Sequence, residues 1–285
     1  MDIHLRPPTP NDAAILGDIC HRAFSDIALA HGFPPDVPNA DVGQAIVGSL
    51  IKHPGVFGVV AEAGGRIVGS NFLDERNPIS GVGPITVDPD VQNGGAGARL
   101  MEAVLARSAE RGFPGVRLVQ AGYHCRSLAL YLKLGFEARA QLVCLQGPAI
   151  GAATPGYAVR PVTPDDVAAC DALCLQVHGH HRGGELADAV AAGAARLVER
   201  GGRITGYATA VAFFSHAVAE TSDDLIALIA AADGFGGPGF LAPSGNGALI
   251  RWCLAHGLKI TQTMTLMSVG LYNQPVGAWL PSVTY

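Results

Sequence analysis

The sequence predicts a mixed α/β protein (α+β, with a mixed sheet) made of two similar domains in tandem, each a central mixed β-sheet flanked by helices. Three observations predict this class: an internal repeat, a recurring order of amphipathic helices and β-rich runs, and an apolar composition. Of the 285 residues 49% are hydrophobic and 15% are charged, so the composition excludes a disordered chain.

The repeat is visible as text. The segment LRPPTPNDAAILGDIC (5–20) returns as VRPVTPDDVAACDALC (159–174), 154 residues later, and GGRIVG (64–69) returns as GGRITG (201–206). Because both matches occur in the same order, duplication explains them better than chance. We predict a first copy at 1–146 and a second copy at 157–285, joined by the uncharged linker 147–156.

In the first copy, Thr9 at the N-cap, Pro10 at the first helical position and Asp12 three residues after Thr9 predict a helix start. Gly64-Gly65 joins two β-rich runs and predicts a hairpin. The further predicted elements, in order, are a helix at 41–52, a strand at 83–87, a helix at 96–111, a strand at 115–120, a helix at 125–134 and a strand at 138–146.

The second copy repeats this outline with fewer signals. We predict a helix at 167–177, a hairpin within 195–214, and a helix at 246–257 as the counterpart of the helix at 96–111. The uncharged stretch 261–285 is interpreted as buried strand and loop that packs against the first copy, since polar residues and two prolines interrupt it.

Charge and cysteine usage limit the partners and the compartment. The net charge is −5 and divides almost evenly between the halves, so no basic stripe predicts binding to nucleic acid or to an anionic membrane. The six cysteines form no C-x-x-C pair, and the first residues lack the features of a signal peptide. We expect a cytoplasmic protein with reduced thiols.

The segment VDPDVQNGGAGARLMEAV (87–104) carries the chemistry. A strand ends, a turn holds three glycines, and an amphipathic helix begins, so free backbone N–H groups form an anion site. A P-loop is excluded because Gly97 is followed by Ala98 and Arg99, and the dinucleotide fingerprint is excluded because position 100 is Leu100.

Two motifs give a resemblance to a known family. The run from Gln92 to Gly97 resembles the Q/R-x-x-G-x-G/A signature of the GNAT acyltransferase superfamily, and LYLKLGF (130–136) resembles the L-Y-x-K-x-G-F ending of that fold. The resemblance covers residues 1 to about 146. The second copy is similar to a degenerate GNAT-like domain, since SGNGALIRW (244–252) has no Gln or Arg ahead of its G-x-G.

The resemblance implies an N-acetyltransferase that moves an acetyl group from acetyl-CoA to an amine of a small molecule or peptide, by direct attack on the thioester. It implies that pantetheine lies between strands 83–87 and 115–120, that the turn binds the pyrophosphate, and that the Val87 amide bonds the thioester oxygen. The donor-binding residues it implies are Ile85, Thr86, Val87, Gln92, Asn93, Gly94, Gly95, Ala96, Gly97, Ala98, His124 and Tyr131.

Three side chains are candidates for proton transfer. Tyr131 is predicted as the general acid for the departing thiolate, against the alternative of a tyrosine packed in the core. Asp74 and Glu75 are the candidates for the general base, against the alternative of a solvated loop pair. His124 stands where the family often has Asn, which leaves a CoA contact and an ordinary helix-start residue equally open.

Metal binding is not expected. His178, His180 and His181 lie close together without a carboxylate or thiol at the usual spacing, which favours a loop or a wall of the acceptor site. The alternative function is a non-catalytic acyl-CoA-binding sensor, which turnover with a panel of amines would distinguish. We predict one CoA per chain, with none in 157–285; the sequence leaves the acceptor and a homodimer open.

Overall fold

The computed structural model describes residues 2–285. The chain forms two compact units. The first unit holds the residues up to Leu118, together with Arg126–Leu134 and Thr284. The second unit holds Val119–Cys125, Gly135–Val283 and Tyr285.

The elements of the first copy follow the predicted order. They are β1 (His4–Arg6), α1 (Ala13–Ala30), α2 (Ala40–Lys52), β2 (Val56–Ala63), β3 (Arg66–Asp74), β4 (Ser80–Val82), β5 (Thr86–Val87), α3 (Ala96–Glu110), β6 (Gly115–Ala121), α4 (Cys125–Lys133) and β7 (Glu137–Gln146).

The second copy has the same kinds of element after the segment 147–156. They are β8 (Tyr157–Pro161), α5 (Val167–His178), α6 (Gly183–Ala191), β9 (Arg196–Arg200), β10 (Arg203–Ala208), β11 (Ala217–Ala219), α7 (Ser222–Ala230), β12 (Phe240–Pro243), α8 (Gly247–Ala255), β13 (Lys259–Gly270) and β14 (Ala278–Leu280).

In the first unit the strands lie in the order β1-β2-β3-β4-β6, and β5 pairs with β3. All pairs are antiparallel except β4 and β6, which are parallel with Ser80 opposite Val116. Phe72 packs with Leu16 of α1 and Val47 of α2. The Asn71 side chain donates to the Leu100 carbonyl of α3, 3.3 Å away. Because neighbouring strand residues point to opposite faces, α1 and α2 cover one face of β3 and α3 covers the other.

Both copies begin with the predicted capping arrangement. A short 3₁₀ turn precedes α1, and the Asp12 carboxylate accepts from the Thr9 amide at 2.6 Å and from Arg6 at 2.8 Å. Before α5, the Asp166 carboxylate accepts from the Thr163 amide at 2.9 Å, and Arg160 donates to it in the same way. The sequence repeat therefore corresponds to a repeated local structure.

The second unit contains a five-stranded antiparallel sheet in the order β14-β11-β10-β9-β8. It also contains β7, which pairs antiparallel with β13 on one edge and with β12 on the other. Buried apolar residues from these strands and from α7 and α8 form one core. In residues 2–285, no helix combines the length and the apolar character that a membrane span needs.

Two expectations differ from the structure. The predicted strand 83–87 is regular only at Thr86–Val87, where it pairs with β3. The assignment of 246–257 as the counterpart of α3 is wrong, because that helix is α8 and occupies the place of α4 in the element order. The helix that follows β11, as α3 follows β5, is α7, which starts without a glycine.

Candidate active site

The strand β5 presents one open edge. Among residues 2–285 its only paired strand is β3, with Val87 opposite Gly69 and Thr86 opposite Ser70. The Asp88 amide donates to the Val68 carbonyl at 2.8 Å. Hydrogen-bonded and non-hydrogen-bonded pairs alternate along an antiparallel ladder, so the N–H and C=O of Val87 point away from β3. The Val87 amide therefore faces the open edge.

The turn after β5 leads into a helix that no side chain caps. Asn93 and Gly95 have φ of 67° and 89°, in the left-handed region that Gly adopts freely and Asn tolerates. Gly95 is the N-cap of α3, so no N-cap side chain accepts a hydrogen bond from the first backbone amides of this helix. A methyl group added at Gly95 would meet nothing within 4 Å, so the space above the first amides is open. Amides without side-chain partners at the positive end of a helix dipole can bind an anion.

Gln92 ties the turn to its surroundings. Its side-chain amide donates to the Val87 carbonyl at 3.1 Å, which satisfies the acceptor on the open edge of β5. Its side-chain oxygen accepts from Arg126 at the start of α4, 2.5 Å away. A Cβ at Gly97 would lie 3.6 Å from Leu130 of α4 and 3.9 Å from Val87. The turn therefore lies in contact with both β5 and α4.

Tyr131 lies on α4 next to Leu130 and is buried, with 6% of its surface exposed. Burial raises the pKa of the Tyr131 phenol well above its ordinary value. The hydroxyl is therefore protonated throughout the neutral range, which is the form that a general acid needs.

The two candidate bases are bound by arginines. Asp74 accepts from the Arg76 side chain at 2.9 and 3.1 Å. Glu75 accepts from Arg107 at 2.6 and 3.0 Å, and Arg111 lies 3.8 Å away. Both carboxylates are half-buried. Each carboxylate is therefore already engaged in an ion pair with an arginine.

An acidic residue also lies at the start of the turn. Asp88 accepts from Arg22 of α1 at 3.0 Å and from the Asp90 amide at 3.2 Å. Burial pushes the pKa of Asp88 upward, but the Arg22 guanidinium and the Asp90 amide hold it below its ordinary value. Arg22 thus neutralises a carboxylate that would otherwise repel an anion at the turn.

The other predicted donor-binding residues differ in their burial. Ile85 is half-buried and precedes β5, whereas the Thr86 side chain is buried. His124 is half-buried in the second unit, where its amide donates to the Ala121 carbonyl at 3.0 Å. Asn93 and Gly94 are exposed, Ala96 is buried, and Ala98 is half-buried in the first turn of α3.

The three histidines of the second copy have other neighbours. The His180 ring bonds the Tyr285 hydroxyl at 2.9 Å, His181 bonds Asp171 at 2.8 Å, and the His178 ring packs edge-on against Trp279. Within residues 2–285, no three His, Cys, Asp or Glu side chains come together as a metal-binding group.

Sequence reasoning missed two residues of this site. Gly69 lies opposite Val87, and a Cβ there would be 2.4 Å from the Thr86 carbonyl, so only glycine allows β5 to approach β3 this closely. Its recurrence as Gly206 in the repeat was the available signal. Arg126 was missed because nothing in the sequence indicates its contact with Gln92.

Comparison with known proteins agrees with this geometry. The profile of the Acetyltransferase (GNAT) family matches residues 27–136, which include β5, the turn, α3 and Tyr131. Residues 27–136 are therefore similar to the acetyltransferase domain of the GNAT family. The matched segment contains both motifs that gave the resemblance.

One curated relative of this chain is the mycothiol acetyltransferase of Saccharomonospora viridis, 34% identical over 90 residues. The match covers 28% of this chain and 29% of the relative, so the chain spans less than a third of that protein's length. The similarity therefore concerns one segment.

Solved structures resemble the chain over nearly its whole length. An acetyltransferase-like protein from Pyrococcus horikoshii has a TM-score of 0.70 at 18% identity, covering 97% of this chain and 94% of that one. A GCN5-related N-acetyltransferase from Sphaerobacter thermophilus has 0.60 at 14%, covering 95% and 96%. A tandem GNAT protein from the clavulanic acid biosynthesis pathway has 0.54 at 14%, covering 94% and 98%. At these identities the likeness shows the fold, and it confirms the predicted tandem architecture.

Proposed function

We propose that this chain is an N-acetyltransferase that transfers an acetyl group from acetyl-CoA to an amine. The observation that carries the proposal is the uncapped N-terminus of α3 beside the open edge of β5. The first amides of α3 would bind the pyrophosphate, and the Val87 amide would bond the thioester oxygen. That bond strengthens as negative charge develops in the tetrahedral intermediate, so it lowers the barrier.

Tyr131 is the proposed general acid. The amine attacks the thioester carbonyl, the C–S bond breaks, and the phenol of Tyr131 gives its proton to the departing thiolate. The support for this role is the position of Tyr131 on α4 beside Leu130, which lies close to Gly97 of the turn; burial keeps its phenol protonated at neutral pH, so the O–H is available as a donor. The attacking nitrogen loses its extra proton to a base, which leaves the neutral amide, and the tyrosinate then regains a proton from solvent.

Asp74 and Glu75 are the proposed candidates for the base that accepts the proton of the attacking amine. The test compares Asp74→Asn with Glu75→Gln. The variant that removes the base should lose about a hundredfold in kcat, and the other should keep the native rate. If both variants keep the native rate, neither carboxylate is the base.

The decisive experiment for the function is turnover. Acetyl-CoA is incubated with the full chain and a panel of amines that includes the substrate of mycothiol acetyltransferase, and CoA release and acetylated product are measured. Amine-dependent release of CoA supports the proposal. Tight CoA binding without release for any amine would instead favour a sensor that binds acyl-CoA without catalysis.

A further inference from the structure

The second copy contains the same ladder that positions Val87 in the first. Gly206 of β10 lies opposite Ala219 of β11, as Gly69 lies opposite Val87. The Glu220 amide donates to the Thr205 carbonyl at 2.9 Å, as the Asp88 amide donates to Val68. By the same alternation, the N–H and C=O of Ala219 point away from β10. Ala219 is therefore the structural counterpart of Val87.

The edge of β11 is occupied, whereas the edge of β5 is open. The strand β14 pairs antiparallel with β11, with Ala278 opposite Ala219 and Leu280 opposite Ala217. It also lies beside β12, the counterpart of β6, and Ala278 and Leu280 share a buried core with Phe240 of β12. The strand β14 thus lies between β11 and β12. Their counterparts in the first copy, β5 and β6, flank the proposed donor site.

A buried polar cluster holds the chain that follows β14. The Arg182 guanidinium, 1% exposed, stacks on the Tyr285 ring at 4.4 Å, donates to the Tyr285 carbonyl and pairs with Glu185 at 2.6 Å. The Tyr285 hydroxyl bonds His180 at 2.9 Å. In addition, the Val283 amide donates to the Phe213 carbonyl at 2.9 Å. The segment is therefore fixed at both β14 and Tyr285.

From these contacts we propose that β14 is an internal occupant of the position that acyl-CoA takes in the first copy, so that donor binding is confined to β5 and α3. The inference rests on the proposed donor site. In this proposal the strand 278–280 fills the space between β11 and β12, and Tyr285 holds the segment that follows the strand in place. The Ala219 N–H, which would otherwise face a thioester oxygen, is used in the β11–β14 ladder.

The test is hydrogen exchange of the full chain with and without saturating CoA, read by mass spectrometry. Peptides that cover 85–92 should exchange rapidly without CoA and slow down when it binds. Peptides that cover 216–220 should be protected without CoA and should not change. Calorimetric titration with CoA should give one equivalent per chain.

The outcomes separate the two proposals. If 216–220 exchanges rapidly and slows on CoA addition, or if titration gives two equivalents, the inference on β14 is overturned. If 85–92 does not respond while 216–220 stays protected, the proposed donor site itself is wrong.

A variant tests whether the Tyr285 hydroxyl holds β14 in place. Tyr285→Phe removes the hydroxyl that bonds His180 and keeps the ring on Arg182, so exchange at 216–220 should accelerate severalfold while the response of 85–92 to CoA remains. Unchanged exchange at 216–220 would show that Tyr285 does not hold β14 in place.

Discussion

Two strand-to-helix junctions, β5–α3 and β11–α7, occupy equivalent places in the two copies and differ in what satisfies the start of the helix. At α3 the N-cap is Gly95, and no side chain bonds the first amides. At α7 the Thr221 side chain accepts from the Asp224 amide, and the Asp224 carboxylate accepts from the Thr221 amide at 3.0 Å. One helix start is stabilised by its own side chains, and the other is left for an anion.

Acidic residues add to the difference between the two junctions. The junction at α7 contains Glu220, Asp223 and Asp224, and Asp224 is fully buried among Arg200, Thr205 and Thr221. A pyrophosphate there would meet carboxylates and a filled cap. The two junctions show that the helix at this place in the element order can start with or without a filled cap while the surrounding strands are kept.

The largest expected effect comes from placing a carboxylate in the empty cap. Gly95→Glu should weaken CoA binding at least about a hundredfold (~2.7 kcal/mol), because the side chain adds bulk and like charge at the proposed pyrophosphate site. Gly97→Glu should do the same without backbone strain, since Gly97 has ordinary contacts and no positive φ. Calorimetry gives the affinities.

The matched control is Ser222→Glu at the start of α7, which should leave CoA affinity unchanged. Native affinity in both glycine variants would remove the pyrophosphate site from the turn. A loss of affinity in Ser222→Glu would mean that the second junction also contacts the donor.

The next effect concerns chemistry rather than binding. Tyr131→Phe should reduce kcat about a hundredfold and leave KM for acetyl-CoA nearly unchanged, because only the proton donor is removed. The control is Tyr272→Phe in the second copy, which removes an exposed hydroxyl and should change neither constant. Steady-state kinetics measure both; a similar loss in affinity and rate would identify Tyr131 as a structural residue.

A smaller effect is expected from loosening the turn. Gln92→Ala removes the bonds to Val87 and Arg126, so the turn should lose its fixed position and CoA affinity should fall about tenfold (~1.4 kcal/mol). Gln274→Ala in the second copy serves as the control with no expected change. Equal CoA affinity in Gln92→Ala and the native chain would show that the turn holds its conformation without Gln92.

The smallest effect is predicted for the capping box that both copies share before their first helix. Asp12→Asn and Asp166→Asn should each lower the free energy of unfolding by about 1–2 kcal/mol, since each removes the negative charge of a capping box and its arginine ion pair. Urea denaturation measures both. A large effect in one copy and none in the other would show that the repeated motif stabilises only one of them.

Measuring the unfolding at lower pH gives a second test of these two carboxylates. The Arg6 guanidinium lowers the pKa of Asp12 from its ordinary 3.8 to about 2, and Arg160 lowers the pKa of Asp166 in the same way. The folded-state pKa is depressed, so the stabilisation is complete above about pH 3.8 and disappears as the pH falls through 2. The difference between native and Asn variants should therefore shrink across this range.

Sequence reasoning predicted the first copy closely because its signals are local. The capping arrangement at Thr9, the Gly64-Gly65 hairpin and the turn ending at Gly97 each determine the structure of a few neighbouring residues. The ion pair of Glu75 was not predicted, because its partner depends on tertiary packing. Glu75 directly follows β3 and Arg107 lies on α3, more than thirty residues apart.

The error in the second copy has a different cause. The G-x-G in SGNGALIRW suggested a counterpart of the turn before α3, yet the spacing argued otherwise. The offset between copies falls from 154 at Leu5 to 137 at Gly64, which shows that the second copy is shortened along its length. Matching α8 to α3 would make that offset rise again, whereas matching α7 to α3 continues the decrease.

The position of β7 has a consequence for synthesis on the ribosome. Both hydrogen-bonding neighbours of β7 come later in the chain: β12 begins at Phe240, and Lys259 of β13 pairs with Gln146. A nascent chain that has just emerged up to the linker holds β7 with two unsatisfied edges, a state that is prone to aggregate. Cutting the gene at residues 147–156 would make that state permanent, so the first half expressed alone should require a substitute for β13 to remain in solution.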